Sequence, residues 1–433
     1  MARKLDAANS ILLRTGVPDG WREGSVANLA RIIGGGTPDR EQSAYWRSGT
    51  VPWITPTDLT ANGAKYISSG AENISDLGLE NSNATLVPCG SIVFSTRGTV
   101  GSMAVAAVPL TCNQSCEILV PRDGVVAGEF LYYLLTFGLS AFIRLSGGTT
   151  FGAITRRDIA RVRFAFPADI EEQTAIARIL EAVDTALERT RAAVERAREL
   201  RCALMQELLP PWIGLRELTG SQKPSGVEEI VRADVVTDVC NGSTPSRLEG
   251  RYWRQGTIPW LPTGKVHDRI ITAADEFVTE AALRECSIRL LPRGTVLVGM
   301  IGQGRTRGMS AYLDIEACIN QNFGAFTPRP VPTLRVWSKW LFYFLDFHYS
   351  RGREVGGGTN QGALNCYLLK RLRLPLPALA RQKEVAAILE GLESLEKARL
   401  TALTVWGDLK KSLMHDLLTG RVRVASEIKA AAS

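Results

Sequence analysis

The sequence is written twice. Gly36-Thr37-Pro38, Tyr45-Trp46-Arg47, Gly49-Thr50 and Pro52-Trp53 return as Ser243-Thr244-Pro245, Tyr252-Trp253-Arg254, Gly256-Thr257 and Pro259-Trp260, at an offset of 207 that still holds for Asn113-Gln114 with Asn320-Gln321 and for Pro121 with Pro328. At offset 210, Gly147-Gly148-Thr149 and Gly152-Ala153-Ile154 return as Gly357-Gly358-Thr359 and Gly362-Ala363-Leu364. At offset 209, Gln173 with Ile179-Leu180 returns as Gln382 with Ile388-Leu389, and Leu204-Met205 with Leu208-Leu209 as Leu413-Met414 with Leu417-Leu418. A repeat of this length imposes two copies of one architecture. At domain sizes of roughly 100 to 200 residues, the 433 residues leave each copy a core of its own.

Each copy changes periodicity part-way. Its first stretch, roughly 21–167 in the first copy, is rich in Gly, Pro and Thr with short β-branched runs such as Gly90-Ser91-Ile92-Val93-Phe94 and Gly294-Thr295-Val296-Leu297-Val298, the pattern of a strand-rich α+β globule. Helical stretches around Phe130–Phe142 and Trp340–Tyr349 are expected to cover its sheet with core aromatics. The second stretch, about 169–209, holds no Gly or Pro until Pro210-Pro211 stops it, which predicts a long helix. With Ile176 at heptad position a, the a positions run Ile176, Val183, Thr190, Ala197, Leu204 and the d positions begin Ile179, Ala186, Ala193, Leu200, widened at e by Leu180, Leu187, Val194 and Leu208. The second copy gives Val385, Leu392, Arg399, Trp406, Leu413 at a and Ile388, Leu395, Ala402, Leu409 at d.

These seams predict two antiparallel coiled-coil helices, each about 60 Å long at 1.5 Å per residue, acting as spacers. Thr190 and Arg399 occupy equivalent a positions, where a polar group either fixes register or marks a kink or exposed turn. Asp169 is the expected N-cap of the first helix with Glu172 at N3. The second helix lacks that device and carries Gly391 and Gly407, each costing roughly 1 kcal/mol against Ala, so it is expected to be the less stable alone. The plan is a first globule over 1–168, a long helix over 169–212, a second globule over 213–378, and a second long helix with its tail over 379–433. The fold class is α+β, a tandem repeat with pseudo-two-fold symmetry.

Composition removes several function classes. With 45% hydrophobic and 22% charged residues and a mean hydropathy of 0.00, the chain reads as a folded soluble protein. No apolar run approaches the roughly 20 residues of a membrane span, so a cytoplasmic location is expected. The eight cysteines are scattered, and the closest pair, Cys112 and Cys116, lacks CxxC spacing, so they read as reduced structural thiols. The three histidines are far apart and no metal site is expected. Gly264-Lys265-Val266 fails the phosphate-loop pattern. There is no GxSxG elbow, no D/E-x-K pair following Pro38-Asp39, and no Asn/Asp-Pro-Pro-aromatic element of a methyltransferase. Gly34-Gly35-Gly36 and Gly356-Gly357-Gly358 read as turn glycines that could also let backbone amides approach phosphates. The net charge of +7 comes from the second half: 21 basic against 22 acidic residues up to Leu215, but 30 against 22 from Arg216 onward. That excess suits nucleic-acid binding.

Two globules, each followed by a long helix, together with Pro18-Asp19-Gly20-Trp21, Gly35-Gly36-Thr37-Pro38, Tyr45-Trp46, Val51-Pro52-Trp53, Gly147-Gly148-Thr149 and the terminal Leu417-Leu418-Thr419-Gly420, resemble the specificity (S) subunit of type I restriction-modification systems. The resemblance spans nearly the whole chain. It implies a non-catalytic host-defence protein with two target-recognition domains, each binding one half of a bipartite target in double-stranded DNA, spaced by the helices. It also implies partners: two modification subunits that methylate adenine with S-adenosylmethionine, and restriction subunits that use ATP and Mg2+. No cofactor is expected on this chain. Two positions depart from the family pattern: Glu228 stands where a second Trp21 would be, and the first helix ends in Pro210-Pro211 instead of Thr-Gly. A coiled-coil scaffold without DNA binding is the alternative, and an enzyme acting alone is disfavoured by the missing motifs.

The repeat also sorts residues by role. Positions identical in both copies cannot explain different half-sites, so Thr37, Pro38, Tyr45, Trp46, Trp53 and their partners read as scaffold. Readers are sought where the copies diverge. Thr149-Thr150-Phe151 becomes Thr359-Asn360-Gln361, and Asn or Gln can pair bidentately with adenine or, equally, cap its own turn. Arg97-Gly98-Thr99-Val100-Gly101 becomes a longer loop carrying Arg305 and Arg307, candidates for guanine or phosphate. Arg40, Arg47, Arg247 and Arg254 are phosphate candidates.

Overall fold

The computed structural model describes residues 16–147, 152–215, 223–302, 306–330, 333–350 and 364–424. The two globules have the same topology strand for strand. In the first, a five-stranded sheet runs in the spatial order Ala30–Gly34, Cys116–Pro121, Ile92–Ser95, Met103–Ala106, Tyr66–Ile67. A three-stranded sheet orders Glu72–Ile74, Val51–Ile54, Thr111–Cys112, and Trp21–Ser25 pairs with Arg163–Pro167. The second globule repeats this with Thr237–Asn241, Phe323–Pro328, Val296–Gly299, Ser310–Leu313, Ile270–Ile271, then Glu276–Val278, Ile258–Leu261, Cys318–Ile319, then Glu229–Arg232 with Arg373–Leu376. Pairing partners also correspond: Trp53 faces Glu72 as Trp260 faces Glu276.

The expected helix over Phe130–Phe142 is two helices, Gly128–Phe137 and Leu139–Leu145, meeting at Gly138; its counterpart is Ser338–Phe347. Their aromatics form the core as expected: Phe130, Tyr133 and Phe142, and Trp340, Phe342 and Phe344, are fully buried. Each such side chain contributes roughly 1.5–3 kcal/mol.

The long helices span Ile170–Leu208 and Leu379–Leu418. The chain divides into two compact units, Met1–Arg191 with Thr401–Ser433, and Ala192–Leu400, so the division runs through both helices. Each unit thus contains a globule, the start of the helix that follows it and the far end of the other helix. Within each unit the two segments run antiparallel. In the first, Ile176 and Leu180 share a core with Leu417 and Leu418, while Asp184 meets Lys410 at 2.6 Å. In the second, Met205 and Leu209 share a core with Val385 and Leu389, while Arg198 meets Glu396 at 2.8 Å.

The buried stripe of the first helix runs along a and e, not a and d. Ile176, Leu180, Val183, Leu187, Thr190, Val194 and Ala197 are buried and Leu204 half-buried, whereas Leu200 at d is 49% exposed. On the second helix Val385 and Leu389 are buried and Leu392, Trp406 and Leu413 half-buried, while Ile388, Leu395 and Leu409 at d are exposed. The buried residues alternate steps of four and three, so they keep a seven-residue repeat whose second position is e, and on the first helix d flanks it with Ile179, Ala186 and Ala193 half-buried. The Thr190 hydroxyl donates to its own Ala186 carbonyl at 2.7 Å, a bond any register satisfies, and Arg399 is exposed.

Asp169 accepts the Glu171 amide at 3.0 Å, as an N-cap does. The Glu172 carboxylate, 2% exposed, receives Arg423 through Nε and Nη2, both at 2.7 Å. Arg423 also donates to the Asp19 carbonyl at 2.6 Å. Gly420, at φ +69°, lies where a Cβ would strike Pro18 and Trp21. The Pro18–Trp21 and Leu417–Gly420 motifs are therefore one contact. In the second unit, where Glu228 stands in place of Trp21 and the helix end carries Pro210-Pro211, the contact is built differently. There Trp212 stacks on Phe344, and His348 Nε2 donates to the Pro210 carbonyl at 2.9 Å.

Candidate nucleic-acid interface

Antiparallel pairing brings four strand termini of the first globule to one end of the five-stranded sheet, because Gly34 lies opposite Glu117, Ser95 opposite Cys116 and Phe94 opposite Met103. The loops there are tied together by backbone bonds. Gly36 N donates to Cys112 O at 2.9 Å, Thr96 N to Ser115 O at 2.8 Å and Ile154 N to Thr96 O at 3.0 Å. In the second globule Leu364 N donates to Met300 O at 3.0 Å, the counterpart of the Ile154 bond. In both copies, then, described residues that flank the two divergent stretches are joined at one rim.

The residues common to both copies spend their polar groups on one another. Trp53 Nε1 donates to the Gly36 carbonyl at 2.8 Å and Trp260 Nε1 to the Ser243 carbonyl at 3.1 Å; Trp46 and Trp253 donate to the Asp39 and Ser246 carbonyls, both at 3.0 Å. Thr37 bonds Gln114 and Thr244 bonds Gln321. Asn113 and Asn320 accept the amide two residues on, as turn-forming Asn does. The glycines of this rim serve close approach. A Cβ on Gly35 would strike the Asn113 carbonyl, and one on Gly242 the Ile319 carbonyl. The Gly35 and Gly36 amides are already committed to the Cys116 and Cys112 carbonyls, which takes them away from a phosphate.

The arginine candidates separate by environment. Arg40 lies 3.7 Å from the Trp46 ring centroid and forks onto Glu72 at 2.7 and 2.9 Å; Arg247 lies 3.8 Å from Trp253 and pairs with Glu276. The Glu72 hydrogen bond raises the Arg40 pKa, and the Arg40 hydrogen bond lowers that of Glu72. Arg47 and Arg254 are exposed and make no ion pair among the described residues. Each precedes a non-glycine residue in the left-handed region, Ser48 at φ +57° and Gln255 at +59°, a strained turn that costs of order 1 kcal/mol or more. Arg97 is exposed and bridges Ala153 through its backbone. Arg307 is half-buried. Thr149, Thr150, Arg305, Thr359, Asn360 and Gln361 lie outside the described residues.

Sequence reasoning missed how each globule grips its helix. Gln173, fully buried, accepts the Ala127 amide at 2.8 Å and donates to the Pro167 and Val125 carbonyls at 2.9 and 3.2 Å; Gln382 does the same with Trp337, Pro377 and Arg335 at 2.8, 2.8 and 3.1 Å. Two to three turns on, Tyr133 donates to Asp184 at 2.8 Å and Lys65 to Glu181 at 2.9 Å, while Tyr343 and Arg269 meet Glu393 at 2.9 and 2.7 Å. Burial, with these carboxylates adding to it, raises the Tyr133 and Tyr343 pKa values well above the ordinary tyrosine range. The recurrence of Gln173 as Gln382 was the signal available for the first latch. The second was obscured because Lys65 and Arg269 are 204 apart instead of 207.

Residues 18–196 and 224–405 match the family of the type I restriction modification DNA specificity domain. Among curated relatives, the chain is 27% identical over 300 residues to the type I restriction enzyme MjaIX specificity subunit of Methanocaldococcus jannaschii, covering 66% of this chain and 67% of that protein. It is 22% identical over 432 residues to the MjaVIII specificity subunit of the same organism, covering 94% of each. Among solved structures it resembles the S subunit of a type I restriction-modification system from M. genitalium, with a TM-score of 0.58, 16% identity and coverage of 94% of this chain and 97% of that one. A chain from a structure addressing assembly and conformational transition of the type I R-M system gives 0.53, 19%, 94% and 100%. Two matching stretches that together take in both globules and most of both helices leave one conclusion: the chain belongs to the family of type I restriction modification DNA specificity domains.

Proposed function

We propose that this chain is the DNA-reading subunit of a type I restriction-modification complex, each globule binding one half of a split target while the long helices set the spacer and dock two modification subunits. The observation that carries the reading is the division of labour at the rim: residues shared by the copies bond inward, and the described flanks of the stretches that differ are joined at one end of each sheet. Phosphate contacts supply affinity and base edges supply specificity, so two rims of different chemistry suit two different half-sites. Arg47 and Arg254 are phosphate candidates on the same fold position. The chain carries no chemistry of its own in this reading. S-adenosylmethionine, ATP and Mg2+ belong to partner subunits, and the complex works in the cytoplasm, where its DNA lies; no described helix is long and apolar enough to cross a membrane.

The test is a genome-wide map of methylated adenine with and without this chain, the modification subunit left in place. A split motif with a fixed unspecified spacer is expected to lose methylation on deletion. An unchanged methylome, together with no salt-dependent DNA affinity of the reconstituted complex, would favour the assembly scaffold instead.

A further inference from the structure

We infer that Arg156, positioned by Glu117, reads a guanine in the half-site of the first globule, and that the second globule has no counterpart of this reader. The inference rests on the DNA-reading function proposed above and deepens it. Arg156 opens the short helix Arg156–Arg161, whose N-cap Thr155 and Asp158 form a capping box. It stands two residues past the Ile154 amide that bonds Thr96 O, where the flanks of the two divergent stretches are joined. Its Nε donates to Glu117 Oε2 at 2.9 Å, and its guanidinium lies over Gly34, where a Cβ would collide with it. Glu117 is 14% exposed and Arg156 53%, so the anchor is inside and the charge outside.

The Nη1 and Nη2 groups make no hydrogen bond among the described residues. A guanidinium fixed at Nε presents those two donors as a fork that fits guanine O6 and N7, with less freedom to lose on binding than a loose side chain. The adjacent carboxylate chooses between ligands. A phosphate arriving at Arg156 would face Glu117 as a like charge, whereas a base edge brings no net charge.

In the second globule the three touching positions change together: Gly34, Glu117 and Arg156 become Asn241, Gly324 and Cys366. The space over Gly324 is filled by the buried Leu369, whose Cδ1 a Cβ would strike. Beside it stands Tyr367, 63% exposed, bonded to Arg371 Nη1 at 2.5 Å. The second copy folds to the same topology without the Glu117–Arg156 pair.

The experiment uses the full chain reconstituted with its modification subunits, selecting bound duplexes from a random pool and reading base preference at every position. Wild type is expected to enrich a split motif with a guanine that Arg156→Ala loses, by about ten- to hundredfold at that one position. Arg156→Lys, which keeps the charge and removes the fork, should lose the same preference with the salt dependence retained. Glu117→Ala should weaken it at that position alone. The other half-site, read by the same molecule, is the folding control and stays unchanged. An unaltered profile in Arg156→Ala overturns the inference, as does uniform weakening with a shallower salt slope, the mark of a phosphate contact. A wild-type complex that enriches no split motif overturns the DNA-reading function itself, a result visible before any variant is made.

Discussion

The two globules share strand order, pairing register, a tryptophan pair and a glutamine latch, yet at the rim one places an ion pair where the other places a leucine. Fold and surface chemistry therefore rest on separate residues. The scaffold set bonds to itself: Trp53 to Gly36, Thr37 to Gln114, Arg40 to Glu72. The rim segments of both copies are joined by backbone bonds, Ile154 to Thr96 and Leu364 to Met300, which accept any side chain. A fold built this way can change what it presents without changing how it folds.

The comparison breaks most visibly if the tryptophans are not equivalent. Trp53 and Trp260 are 3% and 2% exposed in matching environments, and truncating a buried Trp costs about 3–5 kcal/mol. Trp53→Ala and Trp260→Ala should each destabilise their own unit by that amount, read as loss of amide-exchange protection in the sheet of that unit. A loss confined to one variant would mean that the shared residues are not a shared scaffold.

A smaller effect separates the two kinds of arginine. Arg247, committed to Glu276 and Trp253, should on substitution by Ala cost about 1 kcal/mol of stability and leave the salt dependence of DNA binding intact. Arg254→Ala should leave stability within about 0.5 kcal/mol, weaken all sequences alike and reduce the salt slope by about one. Binding isotherms across a salt series decide it, and a changed base preference in Arg254→Ala would assign that residue to the bases.

The repeat made the topology legible, since one period of 207 residues dictates two copies before any strand is assigned. Helix existence was legible too, from the Gly-free and Pro-free run to Leu209. The seam is deepest at a and e, with Leu180 and Leu187 buried while Leu200, Ile388, Leu395 and Leu409 at d are exposed; both pairs of positions repeat every seven residues, so the apolar pattern alone does not choose between them. Gly35 reads as a turn glycine in the sequence, although what it serves is backbone approach to Asn113, 78 residues away, which spacing does not reveal. Arg156 went unnoticed for the same reason: Glu117 is 39 residues away, and only the folded sheet brings the two to Gly34.

The smallest effect concerns acid. Burial opposes ionisation of Glu181, but hydrogen bonds from Lys65 and Tyr66 outweigh it and hold the carboxyl below its ordinary value. An acid whose folded pKa is depressed contributes stability above its unfolded value, about 4.3, and loses it as pH falls through the folded one. Because Glu181 is 36% exposed, solvent screening keeps the effect to about 0.5 kcal/mol or less. Its direction is still informative, for protonation leaves the buried Lys65 without its counter-charge. Amide protection in the helix turn around Glu181 should therefore fall below about pH 4 in the wild type, and Glu181→Gln should flatten that acid limb. In the second globule Arg269 engages both Asp346 and Glu393 at 2.7 Å, two carboxylates where Lys65 has Glu181, and the equivalent turn should lose less protection over the same range. Identical acid limbs in the two units would show that the latches, despite their different wiring, hold equally.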